Sequence, residues 1–257
     1  MQTKTEMISK NQIKYIRQLE QKKFRKREKC FVAEGPKVVG DLMQQYQPKA
    51  IFATDEWIKE VESCDYSKLT TVSPDELRRI SFLQTPQQVL ALFPIPEQTS
   101  YLSPLTSHLT LALDSVQDPG NLGTIIRIAD WFGIDTIYCS EDTADAYNPK
   151  VVQATMGSLA HVHIIYTDLL QLFDKLPKNY PVYGTLLDGN DIYQQPLSEH
   201  GIIVMGNEGN GISEAVRQHV THRLLIPNFH QGPSAESLNV AIATAITCSE
   251  FRRRGTK

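Results

Sequence analysis

Leu109-Thr110-Leu111-Ala112-Leu113-Asp114-Ser115-Val116-Gln117-Asp118-Pro119-Gly120-Asn121-Leu122-Gly123-Thr124-Ile125-Ile126-Arg127 reads as a strand, a Pro-Gly turn and the opening of a helix. The same unit recurs downstream. Apolar runs of strand length lie at Ile134–Cys139, Val162–Tyr166, Val182–Leu187, Ile202–Met205 and Leu224–Ile226. Between most of them stand helical stretches, at Leu122–Phe132, Lys150–Leu159, Asp168–Leu176 and Ile212–Val220. Near-continuous apolar strands alternating with helices predict a parallel sheet covered on both faces. In such sheets ligands bind at the carboxyl ends of strands, so the loops there decide the function.

Upstream, Phe93–His108 holds Pro94, Pro96 and Pro104 among Ser and Thr, which reads as a linker. The expected division is residues 1–98 as a small α/β domain, 99–108 as linker and 109–257 as the parallel-sheet domain. In the first part Ser9 suits the cap of a helix running to about Phe24. Helical stretches at Pro36–Tyr46 and Pro74–Ile80 alternate with the apolar runs Ala50–Ala53 and Val89–Phe93.

Of the 257 residues 41% are apolar and 21% charged, an ordinary globular balance. No apolar run approaches the length of a membrane span, and Met1-Gln2-Thr3-Lys4 opens no secretory signal. Cys30, Cys64, Cys139 and Cys248 are scattered, which predicts reduced packing residues of a cytoplasmic protein, neither a disulfide nor a zinc framework. His161-Val162-His163 is explained by strand alternation, and no metal is expected. The net charge of −3 hides an asymmetry: residues 1–37 carry eleven basic and four acidic groups, so +7 there faces −10 elsewhere. The cluster Lys22, Lys23, Arg25, Lys26 and Arg27 is the candidate phosphate contact of a nucleic-acid partner.

Three loops carry candidate chemistry. In the first, Asn121 stands where a helix N-cap belongs, and Arg127, one turn past Gly123, can reach back over that turn. An arginine at an amide-rich helix start suits a phosphate or an oxygen gaining negative charge. The second is Gly206-Asn207-Glu208-Gly209-Asn210-Gly211, following the strand Ile202–Met205. Its spacing is GxxGxG, and residues 228–233 hold no acid for a ribose, which excludes a nicotinamide site. A P-loop is excluded by the absence of Gly-Lys-Ser/Thr. Glu208 is a carboxylate that a plain turn does not need. The third runs from Leu224-Leu225-Ile226-Pro227 through an irregular loop to Ser237-Leu238-Asn239, which opens a long helix of small residues.

In this order the three resemble the SpoU (TrmH-like) class of the SPOUT RNA methyltransferases: NxGxxxR at Asn121–Arg127, Gly-x-Glu-Gly-x-Gly at Gly206–Gly211, and Ile-Pro then Ser-Leu-Asn-Val at Ser237–Val240. Phe31–Lys37 and Thr85-Pro86-Gln87 resemble that family's L30e-like RNA-binding domain. One departure is Asn228, where the family usually has Met, in a loop longer than common. The resemblance implies a C-terminal trefoil knot and transfer of a methyl group from S-adenosylmethionine to a ribose 2′-hydroxyl of rRNA or tRNA. It implies functional roles for Asn121, Arg127, Glu208, Ser237 and Asn239. Cofactor contacts are expected from Gly206, Gly209, Gly211, Ile226 and Leu238, and a homodimer is expected to complete the site. The alternatives are an inactive RNA-binding member of the fold and a methyltransferase acting on a base nitrogen. An arginine stays protonated at working pH, so Arg127 is expected to hold phosphate and stabilise the emerging alkoxide, with general base as the minority role.

Overall fold

The structure, a computed structural model, describes residues 8–61, 64–97, 108–232 and 235–255. It divides into two compact units, residues 1–97 with 145–160, and residues 98–144 with 161–257. The expected linker at 99–108 lies outside the described residues except for His108. Residues 145–160, which the linker-based division assigns to the second region, pack with the first unit.

In the first unit, β1 (Cys30–Glu34), β2 (Ala50–Ala53), β3 (Leu69–Thr71) and β4 (Val89–Pro94) form one sheet in the order β1-β4-β2-β3. Strand β4 runs antiparallel to β1 and β2, while β2 and β3 are parallel. Ile16, Leu19, Val32, Leu77, Ile80 and Leu90 fill its core. The single helix expected from Ser9 to Phe24 is two helices, Lys10–Gln18 and Lys22–Glu28. Ser9 and Gln12 form the capping box of the first. The break has a partner for its orphaned carbonyls: Nη1 of Arg25 donates to Leu19 O at 2.7 Å and Glu20 O at 2.6 Å. The helix expected over Lys150–Leu159 also divides, into Pro149–Ala154 and a single turn at Ser158–Ala160. Met156 between them is left-handed at φ 53°, where an α-helix cannot continue.

The second unit carries six strands: β5 (Leu109–Leu113), β6 (Thr136–Cys139), β7 (His163–Tyr166), β8 (Val182–Asp191), β9 (Gly201–Met205) and β10 (His222–Leu225). All pair in parallel, in the order β10-β8-β9-β5-β6-β7. From β5 the chain builds outward through β6 and β7, and the later strands lie on its other side. The strand order therefore reverses at β5 and β9, which places a ligand crevice at their carboxyl ends. Both strands are buried throughout, as their apolar runs require. Strand β8 meets β10 twice, at Tyr183 and Gly184 and again at Asn190 and Asp191, with a register jump between Arg223 and Leu224. At the return, a Cβ on Gly189 would lie 2.5 Å from the Leu224 carbonyl carbon, so only glycine lets the two backbones pass this closely.

Among the described residues, no helix is long and apolar enough to cross a membrane, and no group of three metal-ligating side chains occurs. His161 has a protein partner, with Nδ1 3.2 Å from the Asp130 carboxylate. The four cysteines are free, and burial pushes the Cys30 thiol up to about 11.

Candidate active site

The helix after β5 begins at Pro119, three residues earlier than Asn121 would set it as N-cap. The cap is Asp118, whose Oδ1 accepts from Asn121 N at 2.8 Å. That corrects the expected role of Asn121: it sits in the first turn with its carboxamide released for other partners. Nδ2 of Asn121 donates to Oε1 of Glu208 at 2.9 Å. Nδ2 of Asn239 donates in turn to Oδ1 of Asn121 at 2.9 Å. The third loop, by contrast, starts its helix later than Ser237, at Val240, and Asn239 caps it by accepting from Ala241 N at 2.9 Å and Ile242 N at 3.3 Å.

The three loops are thus joined in one line of hydrogen bonds with a fixed polarity. A carboxylate only accepts, so Asn121 must turn its NH2 to Glu208 and its oxygen to Asn239. Backbone amides only donate, so Asn239 must turn its oxygen to its own helix. Both ends agree on one orientation of the two side-chain amides. Glu208 is further held by long contacts from Gln117 N and Asp118 N, each at 3.4 Å.

The loop after β9 is closed at its base and bare at its tip. Asn207 and Gly211 exchange backbone hydrogen bonds at 2.9 Å. A Cβ on Gly206 would stand 2.2 Å from both Gly211 C and Ile212 N, so this closure needs glycine. Gly211 has φ +69°, and nothing lies within 4 Å of where its Cβ would be. The side chain of Asn207 was not singled out from the sequence, yet it organises the loop. It accepts from Gly209 N at 2.9 Å and Asn210 N at 3.0 Å, and it donates to Ser115 O at 2.7 Å. Asp114, at the end of β5, adds a second tie by accepting from Ser213 N at 2.7 Å. An Asn opening a glycine-rich turn was the available signal, since Asn readily bonds the amides two and three residues on.

The structure brings together Asn121, Glu208 and Asn239, and leaves Arg127 and Ser237 outside that line. Arg127 is exposed and forms no hydrogen bond or ion pair among the described residues. It shares one exposed helix face with Gly120, Thr124 and Trp131, the last 85% exposed. Ser237 and Leu238 are exposed, and Ile226 is half-buried one residue past β10. The terminal helix Val240–Gly255 docks on the helix Pro119–Trp131. Its Arg252 takes the carbonyls at that helix's end, donating to Phe132 O at 2.7 Å and Gly133 O at 2.8 Å.

In the first unit, Lys22, Lys23, Lys26 and Arg27 are exposed. Lys23 and Arg27 flank the Phe24 ring at 5.0 and 4.9 Å from its centroid. Arg25 is not available to RNA, contrary to expectation. It is 1% exposed, and its Nε and Nη2 both donate to Oδ2 of Asp145, the former at 3.1 Å.

The SpoU rRNA methylase family model matches residues 108–249, and an MRM3-like substrate-binding domain model matches residues 10–91. The chain is 34% identical to the 23S rRNA (guanosine(2553)-2′-O)-methyltransferase of Bacillus subtilis, over 95% of this chain and 97% of that protein. A solved structure of a putative RNA methyltransferase of the TrmH family from Porphyromonas gingivalis is 44% identical, with TM-score 0.86 over 97% of this chain and all of that one. The AdoMet-bound rRNA methyltransferase of Sinorhizobium meliloti is 31% identical, with TM-score 0.82 over 95% of each chain.

Proposed function

The chain belongs to the SpoU rRNA methylase family, and from that premise we propose how its own residues carry the reaction. It is an S-adenosylmethionine-dependent RNA 2′-O-methyltransferase. We take its substrate to be a guanosine of 23S rRNA, by likeness to the Bacillus subtilis relative. The observation that carries the mechanism is the line Asn239–Asn121–Glu208, which fixes three loops at the carboxyl ends of β5, β9 and β10.

The loops fit the cofactor. The Gly206–Gly211 turn offers bare backbone, and we assign the apolar side chains of Leu238, exposed, and Ile226, half-buried, to the wall of the cofactor site. S-adenosylmethionine supplies, when bound, a methyl group on a sulfonium whose positive charge is lost on transfer, so no metal is called for. What remains for the protein is alignment, and positioning alone can accelerate such a displacement greatly. Asn121 and Asn239 are positioning residues that hold the helix start and the terminal helix at one spacing from the Glu208 loop. Arg127 is the residue that meets the RNA: its free guanidinium binds a phosphate oxygen and stabilises the developing ribose alkoxide. Ser237, exposed at the head of the terminal helix, lies free to bond the ribose or cofactor.

Arg127 and Trp131 on one exposed helix face, with Ile242 52% exposed on the helix packed against it, support a homodimer through these two helices. Each Arg127 would then serve the partner's cofactor. The double meeting of β8 and β10, with the passage at Gly189, supports the trefoil knot of the class. Four free cysteines, with Cys30, Cys139 and Cys248 buried, support a reducing, cytoplasmic location.

Two measurements test the reading. Calorimetry should show stoichiometric binding of S-adenosylmethionine or its demethylated product, with neither NADH nor ATP competing. Maps of 2′-O-methylation in 23S rRNA from cells with and without the gene should differ at one guanosine. Absence of cofactor binding at millimolar concentration overturns the enzyme, and unchanged maps overturn the substrate. Sedimentation showing a fully active monomer removes the dimer.

A further inference from the structure

The first unit contains a cleft of about 330 Å³ with no part in the chemistry above. That volume is at the small end of ligand clefts, which run from about 300 to 1,000 Å³, and suits one planar ring system. Val32 of β1 and Val152 of the helix Pro149–Ala154 supply apolar lining, and Phe82 supplies an aromatic one. Phe82 is itself held by Arg17, which does not line the cleft. The guanidinium carbon of Arg17 lies 4.7 Å from the ring centroid, and its Nη1 donates to Ser81 O at 2.5 Å. Lys150 and Gln153 add a cation and an amide, with Lys150 exposed.

The unusual wall is Glu34, only 5% exposed yet ending in a carboxylate. Its Oε2 accepts from Ser81 Oγ and its Oε1 accepts from Phe82 N at 2.7 Å. Two carboxylate oxygens offer about four acceptor sites, so one on each oxygen remains. Burial pushes this carboxyl up, against the Ser81 and Phe82 bonds that hold it down, so further donors would favour its charged form.

We propose that this cleft receives one unstacked guanine of the RNA substrate, read by Glu34 on its Watson–Crick edge. Guanine alone presents two adjacent donors there, N1–H and N2–H, to match two acceptors. Adenine and cytosine would set a ring-nitrogen acceptor beside their one amino group, and uracil has a single N–H between two carbonyls. The ring lies against Phe82 and the valines, as splayed bases of single-stranded RNA stack on aromatic side chains. Lys150 pairs with the flanking phosphate. This guanine is held in the substrate-binding unit and is distinct from the nucleotide methylated in the other unit. The inference rests on the reading of the chain as an RNA methyltransferase and adds a base-specific contact to it.

The test uses the full chain saturated with S-adenosylhomocysteine, which keeps nucleotides out of the cofactor site. Saturation-transfer NMR with each of the four nucleoside 5′-monophosphates should favour GMP by roughly tenfold, the discrimination of one good bidentate pair. Glu34→Gln should remove the preference. Gln153→Trp, which fills the cleft from a half-buried position and leaves the core alone, should abolish the GMP signal while cofactor binding stays unchanged. Equal signals from all four nucleotides, no signal from any, or a GMP signal that survives Gln153→Trp would overturn the cleft assignment. Calorimetry of S-adenosylhomocysteine on the same preparation keeps the two readings apart. Cofactor binding without GMP preference sinks the guanine site alone, whereas absent cofactor binding sinks the methyltransferase reading.

Discussion

The helix Lys22–Glu28 and the helix Pro119–Trp131 each carry an arginine that the sequence offers to RNA, and the two have opposite fates. Arg25 is buried, spends its donors on two helix-end carbonyls and Asp145, and joins residues 145–160 to the rest of its unit. Arg127 is exposed, with no partner among the described residues. A guanidinium has five donors and must be satisfied or solvated. The satisfied one is structural. The solvated one is available to a ligand or a partner subunit. Charge density in a sequence therefore counts charges without saying which are free.

The largest effect that would break this contrast is on stability. Arg25→Ala leaves the Asp145 carboxylate without its partner and two carbonyls unmet, which should cost about 3–5 kcal/mol in urea denaturation. An unchanged midpoint, with a shallower salt dependence of RNA binding, would make Arg25 a phosphate contact after all. Arg127→Lys should do the converse. It keeps the charge but loses the planar fork, so methyl transfer should slow by about 10²-fold or more, while stability and cofactor affinity hold. A lysine variant with near-normal turnover would falsify the role given to Arg127.

The remaining basic residues sharpen the comparison. Neutralising Lys22, Lys23, Lys26 and Arg27 together should flatten the log–log salt dependence of RNA binding. The expected loss is about 0.7 units per phosphate contact if the RNA is single-stranded there, and nearer the value of about 0.9 known for B-form DNA if it is duplex. The methylated nucleotide should not change, because phosphate contacts position without specifying sequence. A wild-type slope in this fourfold variant would reduce the cluster to a solvated face.

The sheet of the second unit was legible where its strands are short apolar runs, and less so at β8, which runs on past Leu187 through the polar residues to Asp191, and at β10, which opens on exposed His222 and Arg223. The observed bounds of β5, β7 and β9 fall within a residue of those runs. Helix starts were less legible. Asn121 and Asp118 are both good caps, and only the structure shows that Asp118 takes the amide. The choice matters, since a capping Asn121 could not also reach Glu208 and Asn239. The break at Leu19 was invisible because its cause, the Arg25 guanidinium, acts through tertiary contacts that no local pattern records. The same holds for residues 145–160, whose helical pattern is local but whose packing partner, β1, lies far back in the chain. Glu208 was legible as an odd residue in a glycine turn, but its partner among the candidates was decided by geometry.

The smallest expected effect is the most discriminating, and it concerns the polarity of the line Asn239–Asn121–Glu208. Asn239→Asp keeps an oxygen for Ala241 N and Ile242 N, and aspartate is among the best N-caps, so stability should hold within about 0.5 kcal/mol. Its other oxygen now faces Oδ1 of Asn121, an acceptor against an acceptor. Asn121 can relieve this by turning its amide over, but it then presents its oxygen to Glu208 and breaks that bond instead. One contact fails in either orientation, and the loops loosen by about one hydrogen bond. Methyl transfer should slow about tenfold, the rate equivalent of roughly 1.4 kcal/mol, with thermal stability unchanged. Adding Glu208→Gln supplies an NH2 where the carboxylate stood, so the whole line can run in reverse from Gln to Asn121 to Asp. If these residues only position the loops, the double variant should recover most of the lost rate. Failure to recover, in a protein as stable as the single variant, would assign the Glu208 charge itself a part in the reaction.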